Sequence, residues 1–385
     1  MDRWIAGTVC FLIVFLIASG SPVMAKNLIF CIDGTNNDPG DAIDRYDESG
    51  LMQDNSISNV LKLHILAGGT LTNTADNPDQ QSFYYVGVGN RGATDIYRKL
   101  SSAFAITEPQ KILDLAYEDL VNNYQADDSI YIFGFSRGAA LARRLAQRIA
   151  DEGVVRDRKG VAEVPEIAFL GVWDTVAAFG GVNLNRRKQT SAEEVQEKKG
   201  RIANNIRTAY HLVSVDDPRL AFRPVLMGAE ERVHEIWFPG VHSDVGGGYH
   251  NDGLSDITLE FMLDKAQSAG VMLKSPEEID YAQVAPVTFQ DLEIRPDIQG
   301  QIHLQTVIDD KAYVAWLQKR EWKDIMAPRR IYVAVDDKIS DRPPLIHYSL
   351  FERRNRMASE YNPPNVIELD RNYRIVTGDG SVKEP

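Results

Sequence analysis

Short apolar runs alternate along the chain with longer stretches whose apolar residues recur at helical spacing. Residues 28–32 are β-rich and end in Asp33-Gly34-Thr35-Asn36-Asn37; residues 82–88 form a second such run, ending in Gly89-Asn90-Arg91-Gly92. Ile112, Leu113, Ala116 and Leu120 fall on one face and predict a helix over 108–124. Residues 129–133 read as a strand that runs straight into Gly134-Phe135-Ser136-Arg137-Gly138, with an Ala/Leu/Arg helix over 139–150. A strand over 166–173 ends in Asp174-Thr175, and Val233–Phe238 leads into Pro239-Gly240-Val241-His242-Ser243-Asp244-Val245-Gly246-Gly247-Gly248. A helix is expected over 254–270, capped by Ser255 or Asp256, and a last strand over 330–335.

Strands alternating with helices predict an α/β fold, a mostly parallel sheet with helices on both faces. Ligands of such sheets bind at the carboxyl ends of the strands. Asp33, Ser136, Asp174, His242 and Asp244 all follow predicted strands, so all are expected at that one edge.

The first residues stand apart from this alternation. Residues 4–20 are almost wholly apolar, and Val23 and Ala25 fit a cleavage site. Residues 1–25 therefore read as a signal peptide and 26–385 as one folded α/β domain with surface insertions, which places the protein in the periplasm or outside the cell. The alternative for the apolar run is an uncleaved membrane anchor. Removing the peptide leaves Cys31 as the sole cysteine, so the mature chain has no internal disulfide; Cys31 reads as buried apolar filler. The insertions are 73–81, 183–199 and 275–311.

The 385 residues are 44% hydrophobic and 25% charged, an ordinary globular composition, but the net charge is −13. Such an acidic chain is a poor nucleic-acid ligand. Contact with an anionic membrane surface would need a local basic patch. Arg186-Arg187-Lys188 and Arg353-Arg354-Asn355-Arg356 are two such clusters, both read as solvated surface.

Residues 134–138 match G-x-S-x-G. Glycines two before and two after Ser136 permit a tight strand-to-helix turn with the serine at its apex, the arrangement of α/β-hydrolases. The helix N-terminus behind it favours negative charge. The Arg137 N–H is one candidate oxyanion donor, and the loop after the first strand supplies others at Gly34 or Thr35. Two rivals exist for that loop. A phosphatase beginning D-x-D-G-T would need an attacking aspartate where this chain has Cys31. Asp33, Asn36, Asn37 and Asp38 together could instead be oxygen ligands for calcium. The hydrolase reading needs no cofactor and no metal.

A serine nucleophile needs a base and an orienting acid. His64, His211 and His234 read as packed histidines, His303 as surface, and His250 as a substrate contact at most. His242 and His347 remain. Chain order in these hydrolases is Ser, then acid, then His. Ser136–Asp244–His347, Ser136–Asp174–His242 and Ser136–Asp174–His347 all satisfy it. The first is preferred here, because His347 comes last and is expected beyond the final strand.

The segments 32–37, 134–139, 171–176 and 237–249, with Asp217-Pro218-Arg219-Leu220-Ala221-Phe222, Leu254-Ser255-Asp256 and Ile346-His347-Tyr348-Ser349, resemble the DUF2235 family over about residues 27–356. That family includes the catalytic domain of certain phospholipase effectors of bacterial type VI secretion. The resemblance implies an α/β-hydrolase fold and esterase chemistry on phospholipids or related acyl esters, and hence a lipid or acyl-ester partner. The competing reading, from another class, is a non-catalytic envelope-binding protein that keeps the fold.

Overall fold

A computed structural model of the chain describes residues 25–43, 54–73, 77–89, 109–155, 162–177, 189–304 and 326–385. The apolar residues 4–20 and the cluster Arg186-Arg187-Lys188 lie outside them. Among the described residues no helix is long and apolar enough to cross a membrane.

The main elements, in chain order, are β1 (Asn27–Ile32), α1 (Asn59–Leu66), β2 (Gln80–Tyr85), α2 (Pro109–Asn123), β3 (Ser129–Phe135) and α3 (Ser136–Glu152). There follow β4 (Ile167–Trp173), β5 (Ala209–Ser214), β6 (Val233–Phe238), α4 (His242–Gly246) and α5 (Gly253–Ser268). The last are β7 (Leu345–His347), α6 (Tyr348–Arg356), β8 (Arg374–Val376) and β9 (Val382–Lys383). The nine strands form one sheet in the order β9-β8-β7-β6-β5-β4-β3-β1-β2. Every neighbouring pair is parallel except β8 with β9. This is the predicted α/β architecture, of the α/β-hydrolase type.

The period-2 alternation of the strands divides the core between the two faces of the sheet. Leu28, Phe30 and Ile32 of β1 and Ile130 and Ile132 of β3 meet Ile112, Ala116 and Leu120 of α2 and Ala142, Leu145 and Ile149 of α3. Ile29, Cys31, Phe133 and Phe135 point the other way, to Val60 and Leu63 of α1 and Phe261 and Met262 of α5. Both faces are covered, which is why the strands read as continuous apolar runs. Cys31 is the buried filler expected; burial pushes its thiol pKa well up, away from reactivity.

Several elements differ from the sequence reading. Helix α3 begins at Ser136 itself, three residues earlier than the composition indicated. Strand β5 was not predicted, because His211 interrupts its apolar run. The buried ring is satisfied instead: Nδ1 lies 2.8 Å from Glu235 Oε2 and Nε2 accepts the Thr175 N–H at 3.1 Å. The run at 330–335 is not the last strand of the sheet. Only Val333–Val335 is extended, and it pairs with Lys338–Ser340 in a separate hairpin. The sheet continues through β7, so His347 sits in a strand and not in a loop beyond the last one. At α5 the N-cap position is Asp252; Asp256 lies inside the helix and, with Asp252, holds the buried Lys62 at 3.0 and 2.6 Å.

Candidate active site

The chain leaves β1 for β2 on one side and returns to β3 on the other, so the carboxyl ends of β1 and β3 border the point where the strand order reverses, the usual ligand crevice of such a sheet. Asp33 follows the first of these strands and Ser136 the second. Ser136 has φ +56°, a left-handed value that a serine adopts only when its surroundings impose it. Extended β3 must become α3 within one residue. The room comes from glycine: a Cβ on Gly138 would lie 2.2 Å from the carbonyl oxygens of Ile32 and Asp33, and one on Gly134 would lie 2.6 Å from the Gly138 carbonyl. Ser136 is buried, and its Oγ makes no hydrogen bond among the described residues.

The loop after β1 is held from three directions. Asp33 Oδ1 accepts the Gly34 N–H at 2.6 Å, and Oδ2 accepts the hydroxyls of Ser58 at 2.7 Å and Tyr84 at 2.6 Å. Burial raises the Asp33 carboxyl to about 6 against these donors. Ser58 also caps α1, accepting the Leu61 N–H. The Arg137 guanidinium donates from Nε to Thr35 Oγ1. The Gly34 N–H is thereby engaged, while the Thr35 N–H has no acceptor among the described residues. Asp38 Oδ1 accepts the Gly40 N–H in a short 3-10 turn. Among the described residues no three His, Cys, Asp or Glu side chains converge as a metal-binding group.

Phe135 pairs with Trp173 across β3 and β4, which sets the following residues, Ser136 and Asp174, side by side at the sheet edge. Asp174 is fully buried, with φ +39°. Its Oδ2 lies 2.5 Å from His242 Nδ1 and accepts Arg329 Nη2 at 2.9 Å; its Oδ1 accepts Arg329 Nη1 at 2.6 Å and the Ser214 N–H at 3.1 Å. Burial alone would raise this carboxyl, but the Arg329 guanidinium and His242 outweigh it and hold Asp174 well below the usual carboxylate range.

His242 begins α4. Its ring lies 4.6 Å from that of Phe135 and 5.0 Å, edge-on, from that of Phe222. Its backbone N–H donates to Asp217 Oδ2 at 3.2 Å, and Asp217 is gripped by Arg219. Burial lowers the imidazole below its ordinary 6.5, with the two aspartates opposing only in part. With Nδ1 on Asp174, Nε2 is the free nitrogen; it makes no hydrogen bond among the described residues. The close seat of α4 on Phe135 depends on Gly246, where a Cβ would lie 2.0 Å from the Phe135 ring.

The expected Asp244–His347 pair is not formed. His347 ends β7, four strands from β3, roughly 19 Å at the normal strand spacing. Its ring stacks on Phe238 at 4.2 Å, Nδ1 meets Ser349 Oγ at 2.8 Å, and Nε2 is buried with no partner. Burial lowers its pKa to about 3. It is a packed core histidine, as His64 is. Asp244 serves another ring: Oδ1 lies 2.5 Å from His303 Nδ1, and His303 Nε2 lies 2.7 Å from Asp54. His303, expected at the surface, is thus clamped between two carboxylates and stacked on Tyr249 at 3.9 Å.

Sequence reasoning missed Arg329, which lies 155 residues from its partner Asp174 and carries no local signature. Asp217 and Arg219 had only their spacing in the resemblance to point to them. The exit glycines and Ser136 were legible because strand, turn and helix are contiguous there.

The family model for the type VI secretion phospholipase effector Tle1-like catalytic domain matches residues 26–165 and 156–265. An uncharacterized protein of Saccharomyces cerevisiae is 31% identical over 156 residues, 37% of this chain and 20% of its own. The chain thus spans about a fifth of the length of that curated relative. Among solved structures, an uncharacterized protein from Pseudomonas aeruginosa is 21% identical, with 71% of this chain and 49% of that one covered at a TM-score of 0.43. A Tle1 effector bound to the VgrG spike of the type VI secretion system is 18% identical, with 71% and 77% covered at a TM-score of 0.44. With its family match extending over more than half of its length, the chain belongs to the Tle1-like phospholipase effector catalytic domain family.

Proposed function

We propose that the protein is a serine esterase that hydrolyses acyl esters, phospholipids foremost, with Ser136 as nucleophile, His242 as base and Asp174 as the orienting acid. One observation carries the reading: a serine at φ +56° on a strand-to-helix joint shares its sheet edge with a buried Asp174–His242 pair. Family membership supports the choice of phospholipid.

In this mechanism Asp174, kept ionised by Arg329, holds the proton of His242 on Nδ1. The Nε2 lone pair is then available. Ser136 Oγ attacks the ester carbonyl carbon as its proton passes to Nε2. The oxyanion is met by the N–H groups of Thr35 and Arg137 at the head of α3. When the carbonyl re-forms, the bond to the alcohol breaks and His242 returns the proton to that alcohol. Water, deprotonated by the same nitrogen, then attacks the acyl-serine; as the bond to Ser136 Oγ breaks and the carboxylic acid leaves, His242 returns the proton to Oγ. The Gly34 N–H, already on Asp33, shapes the loop but takes no part in the hole.

We place the enzyme outside the cytoplasm, by cleavage after Ala25. A fluorophosphonate probe tests the activity: it should add to Ser136 and to no other residue. An unlabelled, folded protein would leave a non-catalytic binding protein as the reading.

A further inference from the structure

Asp217-Pro218-Arg219-Leu220-Ala221-Phe222 follows β5 and takes no step in the proposed reaction, yet it touches both His242 and the arginine that holds Asp174. Asp217 is fully buried. Its Oδ1 accepts the backbone N–H and the Nε of Arg219, each at 3.0 Å, and its Oδ2 accepts Arg219 Nη2 at 2.6 Å. The remaining donor on Oδ2 is the His242 backbone N–H at 3.2 Å. A 3-10 turn over Leu220–Phe222 then sets the Phe222 ring edge-on to the His242 ring at 5.0 Å, with the Arg219 guanidinium 3.6 Å above the Phe222 ring. The Phe222 carbonyl accepts Arg329 Nη2 at 2.5 Å, and the same guanidinium holds both oxygens of Asp174.

His242 needs such support. It opens a helix of five residues, after Gly240 at φ +110°, so the helix by itself gives the backbone little hold. Its N–H is one of the helix-start donors that have no partner within the helix, and Asp217 supplies the acceptor. The bond from Nδ1 to Asp174 fixes one atom of the ring, about which the ring could still pivot. A fixed backbone and the Phe222 edge remove that freedom and keep Nε2 in one direction.

We propose that residues 217–222 are a clamp that positions the base, with Asp217 as the positioning residue for His242 and Arg219 acting through it. The clamp's part in catalysis rests on the esterase reading; its hold on His242 does not. The clamp has a signature that a purely structural contact lacks. Burial lowers the His242 imidazole; among the charges facing it, Asp174 and then Asp217 raise it and Arg219 lowers it. Arg329 is engaged with Asp174. Asp216 turns to the Gly240 N–H, and Asp244 to the Val241 N–H and His303. Removing either member of the Asp217–Arg219 pair therefore leaves the other's influence on the imidazole unopposed.

The test reads the His242 ring directly, by NMR titration of the full protein labelled at histidine, with its signal assigned from its loss in His242→Ala. The pH profile of kcat/KM is measured alongside. Asp217→Asn should move the ring titration and the acid limb to lower pH, and Arg219→Gln should move both to higher pH. On the pH plateau kcat should fall about tenfold or more in each, with KM changed less than about twofold, since a hydrogen bond to a charged group counts for about that much. Arg219→Lys keeps the charge and should restore the titration, while turnover recovers only in part, because lysine cannot grip both carboxylate oxygens. Circular dichroism establishes that each variant is folded. Asp217→Asn/Arg219→Gln leaves no buried charge unpaired and serves where a single variant does not fold; its kcat should still be down about tenfold. Normal turnover in that protein, or folded single variants whose ring titrations do not part in opposite directions, overturns the clamp. Opposite shifts in a protein that hydrolyses no ester uphold the clamp and reject the esterase reading. Unshifted titrations in an active enzyme reject the clamp and keep that reading.

Discussion

Asp174 and His242 are 68 residues apart in the chain, yet Oδ2 of one lies 2.5 Å from Nδ1 of the other in a fully buried pair. Arg329 closes on both oxygens of the same carboxylate from the far side. The acid is therefore charged, oriented and shielded from water before any substrate arrives. Those three properties set the expectations that follow.

Ser136→Ala and His242→Ala should each lower ester hydrolysis by on the order of 10⁶, and the double variant should be no worse than either, because the two groups act as one unit. Steady-state kinetics on the three proteins, with fluorophosphonate labelling, checks it. Additive losses, or an active His242→Ala protein, would remove His242 from the mechanism.

The two aspartates separate cleanly. Asp174→Asn keeps the shape but no longer fixes the imidazole tautomer, and should cost turnover about 10⁴-fold, as in other triads. Asp244→Asn loosens His303 and should act mainly on stability. A reversed ranking in turnover would restore Asp244 as the acid.

Burial holds His242 below 6.5, so its neutral, basic form persists into mildly acid solution. The acid limb of kcat/KM should accordingly fall below pH 6.5. A limb at pH 7 or above would mean that Asp174 dominates over burial.

His347 should matter to stability and not to turnover. Its native pKa of about 3 lies below the ordinary 6.5, so from about pH 6.5 downward the unfolded chain binds a proton that the native one refuses. Wild-type stability then falls with pH across that window. His347→Phe should remove about 1.4 kcal/mol of loss per pH unit relative to wild type, read from urea unfolding between pH 6 and 4. A difference that does not change with pH would show that this ring titrates normally. Ester hydrolysis by the folded variant should stay near wild type.

Cleavage after Ala25 should leave Lys26 as the mature N-terminus. Intact mass of protein recovered from the periplasm or the medium would show this; a mass that includes residues 1–25 would support the anchor.

Much of the site could be read from local pattern. Residues 129–152 carry the strand, the turn and the helix of the nucleophile in one contiguous stretch, and the clash a side chain would meet at Gly134 or Gly138 is a matter of short-range backbone sterics. Asp33, Ser136, Asp174 and His242 follow their strands directly, so the carboxyl edge could be named from apolar runs alone. The base could not. Choosing between His242 and His347 requires the order of strands in space. Chain order favoured the later histidine, but the sheet places it four strands away, under Phe238 and Phe261. Likewise the polar His211 hid β5, because Glu235 and the Thr175 N–H, both distant in the chain, make a histidine acceptable in that strand. Arg329 is the plainest case. A buried guanidinium needs acceptors for its donors, and that Asp174 supplies them here depends on how two segments 155 residues apart are packed, a long-range outcome with no trace in either segment.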